Sequence, residues 1–248
     1  AGLLAVVLIR QSWVLLELLT LAGTYLTFSA WHSTYYSEDA LLLTVLFLTL
    51  FWVLFYIADL YSVFTRQQSH PLRQLVNILN AGIYYAYLYA LVNKEHHEMM
   101  GMLTIILAFI YALPAWLTLR RDPGSLLLRD YIMMFVILTI TATSIQFSGF
   151  VTVTLWAVEA AVLMWCAQRW GYRYLAAAAL LFFLVIVGKL CFVKGALAYF
   201  PIEEFTPIFN SRFLAFTAIA ASMGASAYLL TNVEISQRET FRTLLHSG

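Results

Sequence analysis

Residues Ala40–Tyr61 read ALLLTVLFLTLFWVLFYIADLY. The run holds a single charge, Asp59, and no Gly or Pro. A helix that crosses the ~30 Å hydrocarbon core of a bilayer needs about 20 mostly apolar residues, and this run supplies them. It does not alternate as a barrel strand would. Working outward along the chain, seven further stretches qualify: Ser12–Trp31, Leu72–Val92, Met99–Leu119, Leu126–Ile145, Val151–Ala167, Tyr174–Val193 and Arg212–Thr231. The expected fold is all-α, a polytopic membrane bundle of about eight transmembrane helices forming one domain over residues 1–248. Only Gln146–Phe150 separates the fifth stretch from the sixth, which predicts a tight helical hairpin.

Composition agrees with lipid as the main solvent. Hydrophobic residues make up 62% of the chain and charged residues 11%, with a mean hydropathy of +0.82. Soluble domains are nearer half apolar and a quarter charged. The net charge of +1 gives no basic face for nucleic acid. The expected partners are the lipid bilayer and, beyond it, other envelope membrane proteins. Cys166 and Cys191 lie in apolar stretches and imply no disulfide framework. No cofactor or metal is expected. His96 and His97 stand between Glu95 and Glu98, without the His-Glu-x-x-His spacing that puts two ligands on one helix face. Neither a glycine-rich phosphate loop nor a nucleophile elbow occurs.

Orientation follows from Lys and Arg, which favour cytoplasmic loops. Taking the side that holds Arg10, alternate loops carry Arg66 and Arg73, then Arg120, Arg121 and Arg129, then Arg169 and Arg173, then Arg238 and Arg242. The loops between them carry Glu38 and Asp39, then Lys94, Glu95 and Glu98, then no charge, then Lys194, Glu203 and Glu204. The arginine side is expected to be cytoplasmic, with both chain ends on it. The chain opens Ala1-Gly2-Leu3, and the apolar residues up to Ile9 are too few to span. That opening is expected of a piece of a longer protein.

A charge deep in a bilayer costs ~2.5–3.5 kcal/mol on insertion scales, so each one asks for a reason. Glu17 and Asp59 fall in the cytoplasmic half of their helices, where snorkelling to water, to each other or to Arg10 and Arg66 would satisfy them. Glu159 falls near the middle of the sixth stretch, and Lys189 about one turn from the outer end of the seventh. Arg212, just after Asn210, opens the eighth. Glu159, Lys189, Asn210 and Arg212 are expected to form a membrane-embedded polar cluster, either a pin between helices or a functional site. Glu38 and Asp39, just before the second helix, read as an N-terminal cap with favourable dipole placement. The alternative is a catalytic or metal-binding pair of a multi-pass enzyme acting on a lipid-linked substrate.

Three stretches carry a family likeness: Leu155–Trp165, Pro207–Phe216 (PIFNSRFLAF), and Leu79–Tyr85 (LNAGIYY). With Gly23–Thr27 and Lys189, they resemble the bacterial "predicted membrane protein" family called domain of unknown function 2339. The resemblance covers nearly the whole chain. It implies long bacterial proteins with many more helices, of which this chain would be a carboxy-terminal portion. It marks Glu159, Asn210 and Arg212 as pattern residues and implies no activity. The expected role is transport-like or envelope-supporting, in the bacterial inner membrane. The alternatives are a structural scaffold subunit of an envelope complex and the lipid-substrate enzyme.

Overall fold

The computed structural model describes residues 14–64, 71–94, 96–121, 125–192 and 211–246. Among these there is no strand. The helices are α1 (Val14–Tyr35), α2 (Leu41–Phe64), α3 (Pro71–Val92), α4 (His97–Arg121), α5 (Leu126–Gln146), α6 (Gly149–Trp170), α7 (Arg173–Phe192) and α8 (Ser211–His246), with a 3-10 turn at Glu38–Ala40. Seven of them, α2 to α8, are long and apolar enough to cross a membrane. The 22 residues of α1 would extend ~33 Å at 1.5 Å each. Its apolarity is diluted by Glu17 and by a series of hydroxyls from Thr20 to Thr34. The sequence expectation of eight stretches ended the last at Thr231, whereas α8 runs on to His246. Residues 232–246 contain charges but no Gly or Pro, so nothing in them stops a helix.

The chain forms two compact units, Ala1–Ala142 and Thr143–Gly248. In the first, α3 packs against α1, α2 and α4. The buried positions of α4 are Met100, Gly101, Thr104, Leu107, Ala108, Tyr111, Pro114 and Thr118, spaced by threes and fours. The opposite face exposes Ile106, Phe109, Leu113 and Trp116. The inward face is thus the more polar one, the reverse of a helix in water. Lipid tails are as apolar as leucine, so large apolar groups gain nothing by leaving them, and small or hydrogen-bonding residues go inside.

In the second unit α6 is the hub and packs on both α7 and α8. Ala157 and Ala160 on α6, Ala179 on α7 and Ala215 on α8 are all fully enclosed. These small side chains let helix backbones approach closely, which is how association is gained without a hydrophobic driving force. The turn after α6 is set by Gly171, at φ 72°, whose N–H bonds the Ala167 carbonyl. That left-handed stop is open to glycine at little cost. Only Phe147 and Ser148 stand between α5 and α6.

Candidate functional site

The first unit concentrates its charges at the arginine-bearing end. Glu17 opens α1, Asp59 nears the end of α2, Arg73 opens α3 and Asp130 opens α5. Antiparallel neighbours bring these four ends together. Glu17 is 4% exposed, Asp59 5%, Asp130 5% and Arg73 8%. Arg73 Nε stands 3.8 Å from Glu17 Oε2. Asp130 Oδ1 lies 3.5 Å from Nε of the neighbouring, partly exposed Arg129. The Tyr131 hydroxyl donates to Asp59 Oδ2. Arg73 attracts the Asp59 carboxylate, while Glu17 and Asp130 are near enough to repel it.

This corrects the expectation that Glu17 and Asp59 are hydrated by snorkelling. α3 packs on both of their helices and presents Arg73 to them, so protein replaces water around the carboxylates. Arg10 and Arg66, the other cations expected nearby, lie outside the described residues.

From this cluster a ladder of aromatic and amide groups climbs through the unit. Tyr56, one turn above Asp59, donates to the Ile110 carbonyl at 2.9 Å. Trp52 Nε1 donates to the Tyr111 hydroxyl at 3.1 Å. Trp52 lies stacked between Tyr56 and Tyr84, with ring centroids 5.2 and 4.8 Å away. Asn80 ties three helices: its Nδ2 donates to the Trp52 carbonyl at 3.2 Å, and its Oδ1 accepts from Tyr25 at 2.8 Å. Higher still, Thr49 meets Tyr84, Tyr85 meets Thr104 and Ser29 meets Tyr87. Counting ~1.5 Å per residue from the inner helix ends, the ladder covers roughly 12 to 25 Å of depth.

Beside it, an open groove of about 1010 Å³ runs between α1 and α2, lined by residues from Leu16 to Phe51. Thr20, Thr24 and Thr27 line it, but their hydroxyls bond the carbonyls of Leu16, Thr20 and Gly23. The groove therefore presents an apolar wall.

In the second unit, Glu159 sits mid-way along α6 and accepts a hydrogen bond from Thr143. Its Oε2 is enclosed without a hydrogen-bond partner. Lys189 does not pair with it within 4 Å; its ammonium lies 4.0 Å from the ring centroid of Trp156, one helical turn before Glu159. Asn210 and the side chain of Arg212 lie outside the described residues.

The outer acidic pair forms the 3-10 turn that leads into α2. Glu38 is bound to Lys94 at 3.0 Å, with both side chains largely in solvent. Among the described residues, no group of three or more His, Cys, Asp or Glu could hold a metal.

Sequence reasoning missed Asp130, although it stands inside the fifth apolar stretch, where every charge calls for a reason. In the sequence Arg73 stands only as a loop cation. Asn80, Tyr25, Trp52, Tyr111 and Tyr131 gave no signal beyond being polar-tipped residues in apolar runs.

No curated protein and no solved structure matches this chain. A family model described as "Predicted membrane protein (DUF2339)" matches residues 1–248. The match covers the whole sequence, and the buried polar network belongs to a helical membrane protein of that kind: this chain is a member of the DUF2339 predicted membrane protein family.

Proposed function

We propose a transport-like role in the bacterial inner membrane, with the first unit handling protons or proton-coupled movement. The observation that carries this reading is the burial of Glu17, Asp59, Arg73 and Asp130 at one end of a spanning bundle, none more than 8% exposed. Ionisable groups inside a membrane are costly and are kept mostly for ion pathways, proton relays and ligand counter-charges. The Tyr131 hydroxyl on Asp59 gives the cluster a hydroxyl neighbour, and the ladder above it continues the polar path outward. The arginine-bearing end faces the cytoplasm in this reading, so the cluster opens to that side.

The test is proton flux into proteoliposomes holding a pH-sensitive dye, driven by an imposed potential. The wild-type chain should acidify the lumen faster than empty vesicles, and Asp59→Asn should abolish the difference. Equal rates in all three would end the proton reading.

A second reading, a scaffold for other envelope membrane proteins, is favoured by the ladder's mutual hydrogen bonds, which tie α1, α2, α3 and α4 into one body. Under it, the same variants would leave flux unchanged and weaken the bundle. The enzyme alternative draws least support, because Glu38 is engaged by Lys94. Neither leading reading involves nucleic acid.

A further inference from the structure

Glu159 stands apart from the first unit's cluster. It lies ten residues into α6 from Gly149, or ~15 Å of rise, near the centre of a ~30 Å core. One carboxyl oxygen meets Thr143 and the other is enclosed with no partner. A lone carboxylate in such a place is poorly stabilised, whereas a neutral acid is tolerated.

Few titratable groups lie on the elements around it, Cys166 two turns on along α6 being one. From α7, Lys189 reaches Trp156, three residues before Glu159. On α8 the only titratable side chain described is Tyr228, 68% exposed. Residues 143–146 of α5 offer none. Helical side chains lean toward the N-terminus of their helix. On α7 that is the arginine-bearing end, so Lys189 leans into the membrane, while Trp156 and Glu159 on α6 lean the opposite way, toward it. The Lys189 ammonium therefore stands on Trp156, one turn from a carboxyl it does not touch. A cation on an indole face is held by ~0.5–2 kcal/mol, weakly enough to exchange that seat for an anion.

We propose that Glu159 is a proton-binding site in the second unit, with Lys189 as a counter-charge held in reserve on Trp156. In the protonated state, Glu159 is neutral and Lys189 rests on the ring. When Glu159 releases its proton to water, the ammonium leaves the ring and pairs with the carboxylate. The pair then passes from one net positive charge to none, and no other group changes protonation. This inference does not depend on the first unit's proposed role.

The test uses the full chain in liposomes and dicyclohexylcarbodiimide, an apolar reagent that attacks protonated carboxyls from the lipid side. Adducts are located by peptide mass spectrometry across a pH series. The wild-type chain should be labelled at Glu159 at neutral pH and lose the adduct at alkaline pH, and Glu159→Gln should remove it from that peptide. Lys189→Gln should keep at least tenfold more label at the alkaline end, because the ionised form has lost its counter-charge. Lys189→Arg should behave as wild type. Absence of label at Glu159 at every pH, as a permanent ion pair would give, overturns the proposal. So does a Lys189→Gln series that superimposes on the wild type. If Lys189→Gln fails to fold, the wild-type and Lys189→Arg series still decide whether Glu159 carries a proton at neutral pH.

Discussion

Asn80→Leu removes the side chain that joins α1, α2 and α3. Asn80 is 2% exposed, and the substitution conserves approximate volume, so cavity terms stay small. Two hydrogen bonds are lost, from Tyr25 at 2.8 Å and to the Trp52 carbonyl at 3.2 Å. In a soluble protein each stranded buried group would cost ~1–3 kcal/mol. In a bilayer, measured couplings average ~0.6 kcal/mol and reach ~1.7, because the separated helices also find partners. Two relieving features hold the loss down here. A helical carbonyl keeps its own helical donor, and the Tyr25 hydroxyl lies 3.4 Å from the backbone oxygen of residue 80, which survives the substitution. The expected loss is therefore about 1–2 kcal/mol, the membrane value rather than the aqueous one. Asn80→Asp should be worse than Asn80→Leu, since a carboxylate loses the donor and brings a charge costing ~2.5–3.5 kcal/mol. Reversible unfolding in mixed micelles, followed by circular dichroism, gives both values. A cycle with Tyr25→Phe should show a coupling of ~0.6–1.7 kcal/mol. Additivity within ~0.3 kcal/mol, or an Asp variant milder than Leu, would refute the three-helix tie.

Asp59→Ala should cost ~3–5 kcal/mol in the same assay by breaking a buried charged network, whereas Asp59→Asn keeps an acceptor for Tyr131 and should cost well under half of that; equal losses would count against the Tyr131 contact. Gly171→Ala should cost ~1–2 kcal/mol from the left-handed backbone alone, since an added Cβ meets nothing within 4 Å; a neutral outcome would show that the turn relaxes. Reporter fusions after Arg121 and Arg173 should read cytoplasmic, and those after Asp39 and Glu98 the opposite side; a single reversal would break the proposed topology.

The spans were legible because a bilayer demands long apolar runs and little else does. Ala40–Tyr61 declares itself by length, and the recurrence of arginine at alternate links counts the helices between them. The buried network was not legible, for the same physical reason. Hydropathy reads the lipid-facing side, and in α4 the residues that reach inward are Thr104, Tyr111 and Thr118, which lower the apolar score rather than raise it. Glu17 and Asp59 were visible as charges, but their depth alone did not tell whether water or Arg73 would meet them. That depended on α3 packing against both helices, a long-range fact. Lys189 was likewise visible, while its seat on Trp156 arises from the opposed lean of side chains on antiparallel helices.

The enclosure of Trp52 has an optical consequence. Trp116, Trp165 and Trp170 are 48%, 54% and 38% exposed, whereas Trp52 and Trp156 are 3% and 9%. Bromine atoms carried on lipid acyl chains quench indole emission by contact, so they darken the first three and spare the other two. Of the light from these five, what survives in brominated vesicles comes from Trp52 and Trp156, inside the two units. Trp52, hydrogen-bonded through its nitrogen and sandwiched between tyrosines, also collects excitation from those rings, which makes the centre of the ladder its own spectroscopic probe.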